Sequence, residues 1–217
     1  YDNKYNSIRA KDINYLSISN TDVSDISSLS KCENLNTLNI SGTQINNLSP
    51  LTNITKLYHL DASNTFINDL SPLKNIECLY YLNLEASQVT DLTCLNNLKS
   101  LNELNISNTK VTSLDALNGM SHLNKIYCDN SLITKEIAQQ YKRSNPNVLV
   151  INESNALTLW WNELPSFWKT LLTNHTNTTI NPTKEELHSI INIRSLKVDP
   201  FIHDAEPISR LTSLETL

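Results

Sequence analysis

The chain has 217 residues, 39% of them hydrophobic, and a formal net charge of −5. That is enough apolar material for a core, and the wrong charge for a nucleic-acid surface, which needs clustered Lys and Arg. With only two glycines there is no Gly-rich phosphate loop, and no apolar run approaches the ~20 residues that would span a bilayer.

In chain order, the first feature is a repeat. Leu16, Leu38, Leu60, Leu82, Leu104 and Ile126 stand 22 residues apart, as do Ile13, Leu35, Leu57, Leu79, Leu101 and Leu123. Further columns agree, among them Val23, Ile45, Ile67, Val89, Val111 and Ile133. A fixed period of this length marks a solenoid, in which one unit cannot bury its own apolar side and stacking makes the core. Within a unit the L-x-I segment alternates at period two and predicts a short strand. The later L-x-x-L-x-x-L spacing of three predicts 3₁₀ turns on the opposite side. Thr21, Thr43, Thr65, Ser87, Thr109 and Ser131 fall where the chain leaves the strand, and their hydroxyls are expected to bond turn backbone. The two "SPL" segments, at 49–51 and 71–73, start the return, where Pro fixes φ without removing a ladder donor.

These columns, with "NTFINDLSPLKNI" at 64–76, resemble the leucine-rich repeat superfamily, and within it the bacterial, 22-residue, internalin-like class. The resemblance covers residues 13 to about 152. It implies a right-handed α/β solenoid with a parallel concave sheet. It also implies a non-catalytic recognition module with a protein or peptide ligand, secreted or at a bacterial surface. Thr or Ser stands where many leucine-rich repeats carry Asn.

After Asp129 the pattern changes. A helix is expected from about 134 to 143, then "NPN", then a last strand at 148–151, as a closing repeat requires. The array with its closing repeat is read as 1–152. Residues 153–192 carry no repeat and hold Trp160, Trp161 and Trp168; Pro165 divides them into two short helices and the tryptophans are expected in a core. A polar loop is expected at 174–182. Thr183 with Glu186 then forms a capping box for a helix through Leu187, Ile190 and Ile191. From 193 to 217 the first pattern returns, with Leu196 and Val198 in a strand and Pro207, Ile208, Leu211, Leu214 and Leu217 in the return. This is expected to be the start of a second array that continues further, and the segment before it resembles the cap between arrays in multi-array proteins of Bacteroidetes-type bacteria.

Residues between the core positions of each strand point outward. Three columns follow: Tyr15, Thr37, His59, Tyr81, Glu103, Lys125; Ser17, Asn39, Asp61, Asn83, Asn105, Tyr127; and Ser19, Ser41, Ser63, Glu85, Ser107, Asp129. Six strands ~4.8 Å apart make a sheet roughly 24 Å wide, the scale of a peptide or one face of a small domain. The first two repeats offer mostly Ser, Thr and Asn. The binding face is therefore placed on His59, Asp61, Tyr81, Asn83, Glu85, Glu103, Asn105, Lys125, Tyr127 and Asp129. Tyr81, Tyr127 and His59 are its expected energetic centre, with Asp61, Glu85, Glu103 and Asp129 steering a basic partner. Tyr58, Tyr80 and Phe66 would extend it. The plainer reading is a solvated sheet whose polar residues are merely soluble.

Cys32, Cys78, Cys94 and Cys128 show no C-x-x-C, and the five histidines are scattered, so no metal, cofactor or nucleophilic centre is expected. The alternatives kept are a structural scaffold presenting another domain and, last, an enzyme using the paired acids Asp61 and Glu85. The sequence says nothing about oligomeric state.

Overall fold

Each repeat spends three residues on a strand. β1 (Tyr15–Ser17), β2 (Thr37–Asn39), β3 (His59–Asp61), β4 (Tyr81–Asn83), β5 (Glu103–Asn105), β6 (Lys125–Tyr127) and β7 (Leu149–Ile151) pair in parallel, in sequence order. The register follows the columns, Leu16 against Leu38 against Leu60, through to Ile126 against Val150. The chain is seen here in a computed structural model that describes residues 9–198, 206–211 and 213–216. It divides into two units, Tyr1–Asn152 and Glu153–Leu217.

The central residue of each strand faces the interior, and Leu38, Leu60, Leu82, Leu104 and Ile126 are fully buried. Parallel neighbours need a crossover, and here 3₁₀ turns at Ser27–Lys31, Ser49–Leu51, Ser71–Leu73, Thr93–Asn97 and Asp115–Leu117 supply it. Each turn buries the leucine of the return, and Pro50 and Pro72 open two of them. A side chain two residues ahead holds each entrance. Asp25, Asn47, Asp69, Asp91 and Ser113 accept the backbone N–H of Ser27, Ser49, Ser71, Thr93 and Asp115 at 2.8 to 3.0 Å.

Two further ladders turn the chain out of the strands. Thr21, Thr43, Thr65, Thr109 and Ser131 donate their hydroxyls to the carbonyl three residues back at 2.6 to 2.7 Å. One position earlier the backbone is left-handed in every repeat: Asn20, Gly42, Asn64, Ala86, Asn108 and Asn130 have φ between 53° and 66°. Asn and Gly adopt that region at little cost, whereas Ala86 does so at a steric penalty. Gly42 has a second reason, since a Cβ there would lie 2.5 Å from Asn20 Oδ1.

After β6 come a helix and the strand β7, each within a residue of the expected 134–143 and 148–151. α1 (Lys135–Ser144) begins with Thr134 accepting from the Ile137 N–H, and its buried Tyr141 donates its hydroxyl to the Leu117 carbonyl at 3.1 Å. Burial pushes that phenol up to about 12.

In the second unit α2 (Ser154–Glu163), α3 (Ser166–Thr176) and α4 (Lys184–Ile191) gather Leu157, Trp161, Trp168, Leu172, Leu187 and Ile190 into one core. Trp161 Nε1 donates to the Ile180 carbonyl at 3.0 Å. Trp161 and Trp168 are buried core residues and Trp160 packs against them. Thr183 and Glu186 form the full capping box. The loop is shorter than expected: residues 174–176 are the last turn of α3, because Thr176 Oγ1 bonds the Leu172 carbonyl and Asn177, at φ 54°, ends the helix.

Part of the expected second array, residues 199–205, Thr212 and Leu217, lies outside the described residues, as does the side chain of Pro207. Among the described ones, Ser195 and Thr216 form a parallel bridge, and the Arg194 carbonyl accepts from both Glu215 and Thr216. The Asn14 carbonyl accepts from Asn36 and Thr37 in the same way at the start of the sheet.

Candidate functional site

The outward residues of β3 to β6 lie in register. One column runs His59, Tyr81, Glu103, Lys125 and ends in Leu149; the next runs Asp61, Asn83, Asn105, Tyr127 and ends in Ile151. The apolar ends come from the closing repeat, whose 24-residue step from β6 to β7 breaks the period that made the other columns legible.

Neighbouring strands bring the rings together. His59 and Tyr81 stack with centroids 4.1 Å apart and planes 5° from parallel. Just outside them Tyr58 and Tyr80 stack at 4.8 Å and 8°. The two pairs sit side by side because consecutive residues share an acceptor: Tyr58 and His59 both donate to the Asn36 carbonyl, and Tyr80 and Tyr81 both donate to that of Tyr58. Stacked rings add roughly 0.5–1.5 kcal/mol to what burial gives. Phe66 is half-exposed in the turn after β3.

The acids surround this block. Burial, then Asp61, Glu103 and Glu85, push the Tyr81 phenol up, against a hydrogen bond from the Asn83 side chain. Burial lowers the His59 imidazole, against the pull of Asp61 and Glu103, so His59 is neutral at pH 7. Lys125 Nζ lies 3.6 Å from Glu103 Oε2.

Several of these polar groups already have structural work. Asn39, Asp61, Asn83 and Asn105 each turn Oδ1 onto the backbone N–H two residues on, at 2.9 to 3.0 Å. Asn39 and Asp61 also accept the hydroxyls of Ser41 and Ser63. The second outward column is thus also a turn-closing ladder, and Asn83 is buried. The third column lies past the strands rather than on them: Ser63, Ser107 and Asp129 are buried, and Glu85 is half-buried.

Glu85 is a special case. Asn130 Nδ2 reaches back to Asn108 Oδ1 at 3.2 Å, one Asn of the left-handed column donating to another a repeat earlier. Where Asn108 would look for an Asn it meets Ala86, and its Nδ2 binds Glu85 Oε1 at 3.1 Å instead. Asn105 Nδ2 holds the other oxygen at 3.2 Å. The neighbouring Ser87 hydroxyl, alone of its column, is buried with no partner among the described residues. The turn after β4 therefore breaks the pattern at three consecutive positions, and Glu85 repairs one of the breaks.

Other candidates stay apart. All four cysteines are free thiols; Cys32 and Cys128 are buried, and burial pushes Cys128 up to about 12. Among the described residues no group of three His, Cys, Asp or Glu could hold a metal ion, and no helix is long and apolar enough to cross a membrane.

The fold built on this parallel sheet matches solved structures. An internalin of Listeria monocytogenes, inlF, superposes with a TM-score of 0.60 at 26% identity, over 66% of this chain and 42% of that one. Listeria internalin C2 gives 0.52 at 27% identity, over 66% and 74%. The chain is a leucine-rich repeat protein. A leucine-rich repeat protein of Leptospira interrogans, at 19% identity and a TM-score of 0.61, shares the fold over 64% of this chain and 37% of its own. This leucine-rich repeat chain thus spans less than half of the inlF structure. No family model matches it, and no curated protein does. Its architecture is that of a protein-interaction or scaffold fold.

Proposed function

We propose that this protein is a non-catalytic recognition module that binds a protein or peptide on the concave faces of β3 to β6. The observation that carries the reading is the stacked His59–Tyr81 pair with Tyr127 and the carboxylates of Asp61, Glu85, Glu103 and Asp129 on the same strands and turns. Rings supply contact area at low entropic cost, and the surrounding acids favour a basic partner over nucleic acid. Catalysis is disfavoured by the same bonds that close the turns. Asp61 and Glu85, the acids an enzyme would need, already serve as acceptors for Ser63 and for Asn105 and Asn108. The similarity to internalins supports a secreted or cell-surface setting. Residues from 193 onward are read as the start of a second array.

The test compares capture from host and bacterial extracts by the parent chain and by a Tyr81→Ala/Tyr127→Ala variant with unchanged circular dichroism. Partners held by the parent and lost by the variant support the reading, and a Ser41→Ala control should keep them. Identical capture by all three would overturn it and favour a scaffold.

A further inference from the structure

An array of near-identical repeats carries its own control. What a column holds in most repeats is what the coil requires, and a departure that keeps the coil intact has another use. The position before each strand holds Asn14, Asn36, Asn102 and Asn124, but Tyr58 and Tyr80. Two of these asparagines tie neighbouring repeats together, since Asn36 Nδ2 donates to the Lys56 carbonyl at 3.3 Å and Asn102 Nδ2 to the His122 carbonyl at 2.9 Å. Among the described residues neither Tyr58 nor Tyr80 makes that bond through its hydroxyl, so β3 and β4 forgo a tether and gain two half-exposed rings.

Position 61 shows the same logic in charge. Asn39 and Asp61 make the same two turn bonds, both through Oδ1, to Ser41 and Ser63. An Asn would suffice. Asp adds a second carboxylate oxygen, and among the described residues Oδ2 has no hydrogen-bond donor. This oxygen belongs to a half-buried side chain on the strand that carries His59, opposite Asn83 in the register and near enough to Tyr81 to push its phenol up. Glu103 stands next to Tyr81 in the register on the other side. A neutral imidazole adds no positive charge, and Lys125 is the only cation in these columns of β3 to β6.

We propose that the Tyr58–Tyr80 and His59–Tyr81 stacks, with the carboxylates of Asp61 and Glu103, form a subsite for one arginine side chain of the partner. This rests on the recognition reading above and deepens it. A guanidinium is planar, packs against aromatic rings and gives a carboxylate two parallel donors, which an ammonium does not. Its positive charge would displace Lys125 from Glu103, a long and partly exposed pair.

The probe is Nα-acetyl-arginine methylamide, titrated into the full chain and followed by the His59 and Tyr81 ring resonances, with the citrulline analogue as the uncharged isostere. Saturable shifts confined to β3–β5 with arginine alone are expected. Asp61→Asn, which restores the array's own residue and keeps the turn, should weaken binding about tenfold or more. Tyr58→Asn/Tyr80→Asn, which restores the tethers, should weaken it about two- to fivefold. Neither variant should lower the melting temperature. No shift, equal shifts with citrulline, or an unchanged titration in Asp61→Asn overturns the subsite. If arginine fails while capture still depends on Tyr81 and Tyr127, the subsite falls and concave recognition stands. If arginine binds as described while capture ignores those tyrosines, the reverse holds.

Discussion

The first two repeats and the four after them share one frame and show different faces. β1 and β2 present Tyr15, Ser17, Thr37 and Asn39, with Ser17 and Asn39 bonded locally to Ser19 and Ser41. β3 to β6 present stacked rings, carboxylates and a lysine on the same backbone and the same register. The interior barely notices: Leu38 and Leu82 are both fully buried. A solenoid can therefore vary its concave columns repeat by repeat while its core columns stay constant, because the two sets point to opposite sides of each strand.

Leu82→Ala should remove the most stability, about 2–5 kcal/mol in urea unfolding, since its site is enclosed by repeats on both sides. Leu16→Ala, at a partly buried position of the first repeat, should cost clearly less. Equal losses would mean that the ends are as tightly packed as the centre. Asn105→Ala removes the bond to the Ser107 N–H and the one to Glu85, and should cost about 1–3 kcal/mol. Ser17→Ala, on the plain face, should be close to neutral.

Ala86→Asn sharpens the contrast in the opposite direction. It replaces an alanine at φ 53° with the residue its column prefers and should stabilise the chain by about 0.5–1 kcal/mol. It should also release Glu85 from Asn108, visible as a shift of the Glu85 carboxylate signal. A destabilised variant would show that Glu85 cannot be displaced. The smallest effect is pH-dependent. The folded chain holds His59 below its unfolded value, so the unfolded chain binds the proton first. The stability from His59 is complete above the unfolded value, near 6.5, and is lost as pH falls below it. Asp61 and Glu103 face the same ring and moderate the loss. The melting-temperature difference between the parent and His59→Gln should shrink from about pH 7.5 to about 5.5, and a widening difference would refute the assignment.

The sequence alone determined the solenoid, the strand positions, the 3₁₀ return, the hydroxyl ladder and the core role of Trp161 and Trp168. Those features follow from contacts that recur at one spacing, so six copies of the same residue pattern report them repeatedly. Apolar columns at 22 residues have only one way to stack. The outward face was legible only as a set of residues on β3 to β6. Which polar groups close turns and which remain available depended on neighbours a full repeat away: Asn108 finding Glu85 because Ala86 offers nothing, Tyr58 meeting Tyr80, Asp61 spending one oxygen on Ser63. Register and side-chain reach across strands decide those pairings, and a column read one residue at a time carries neither.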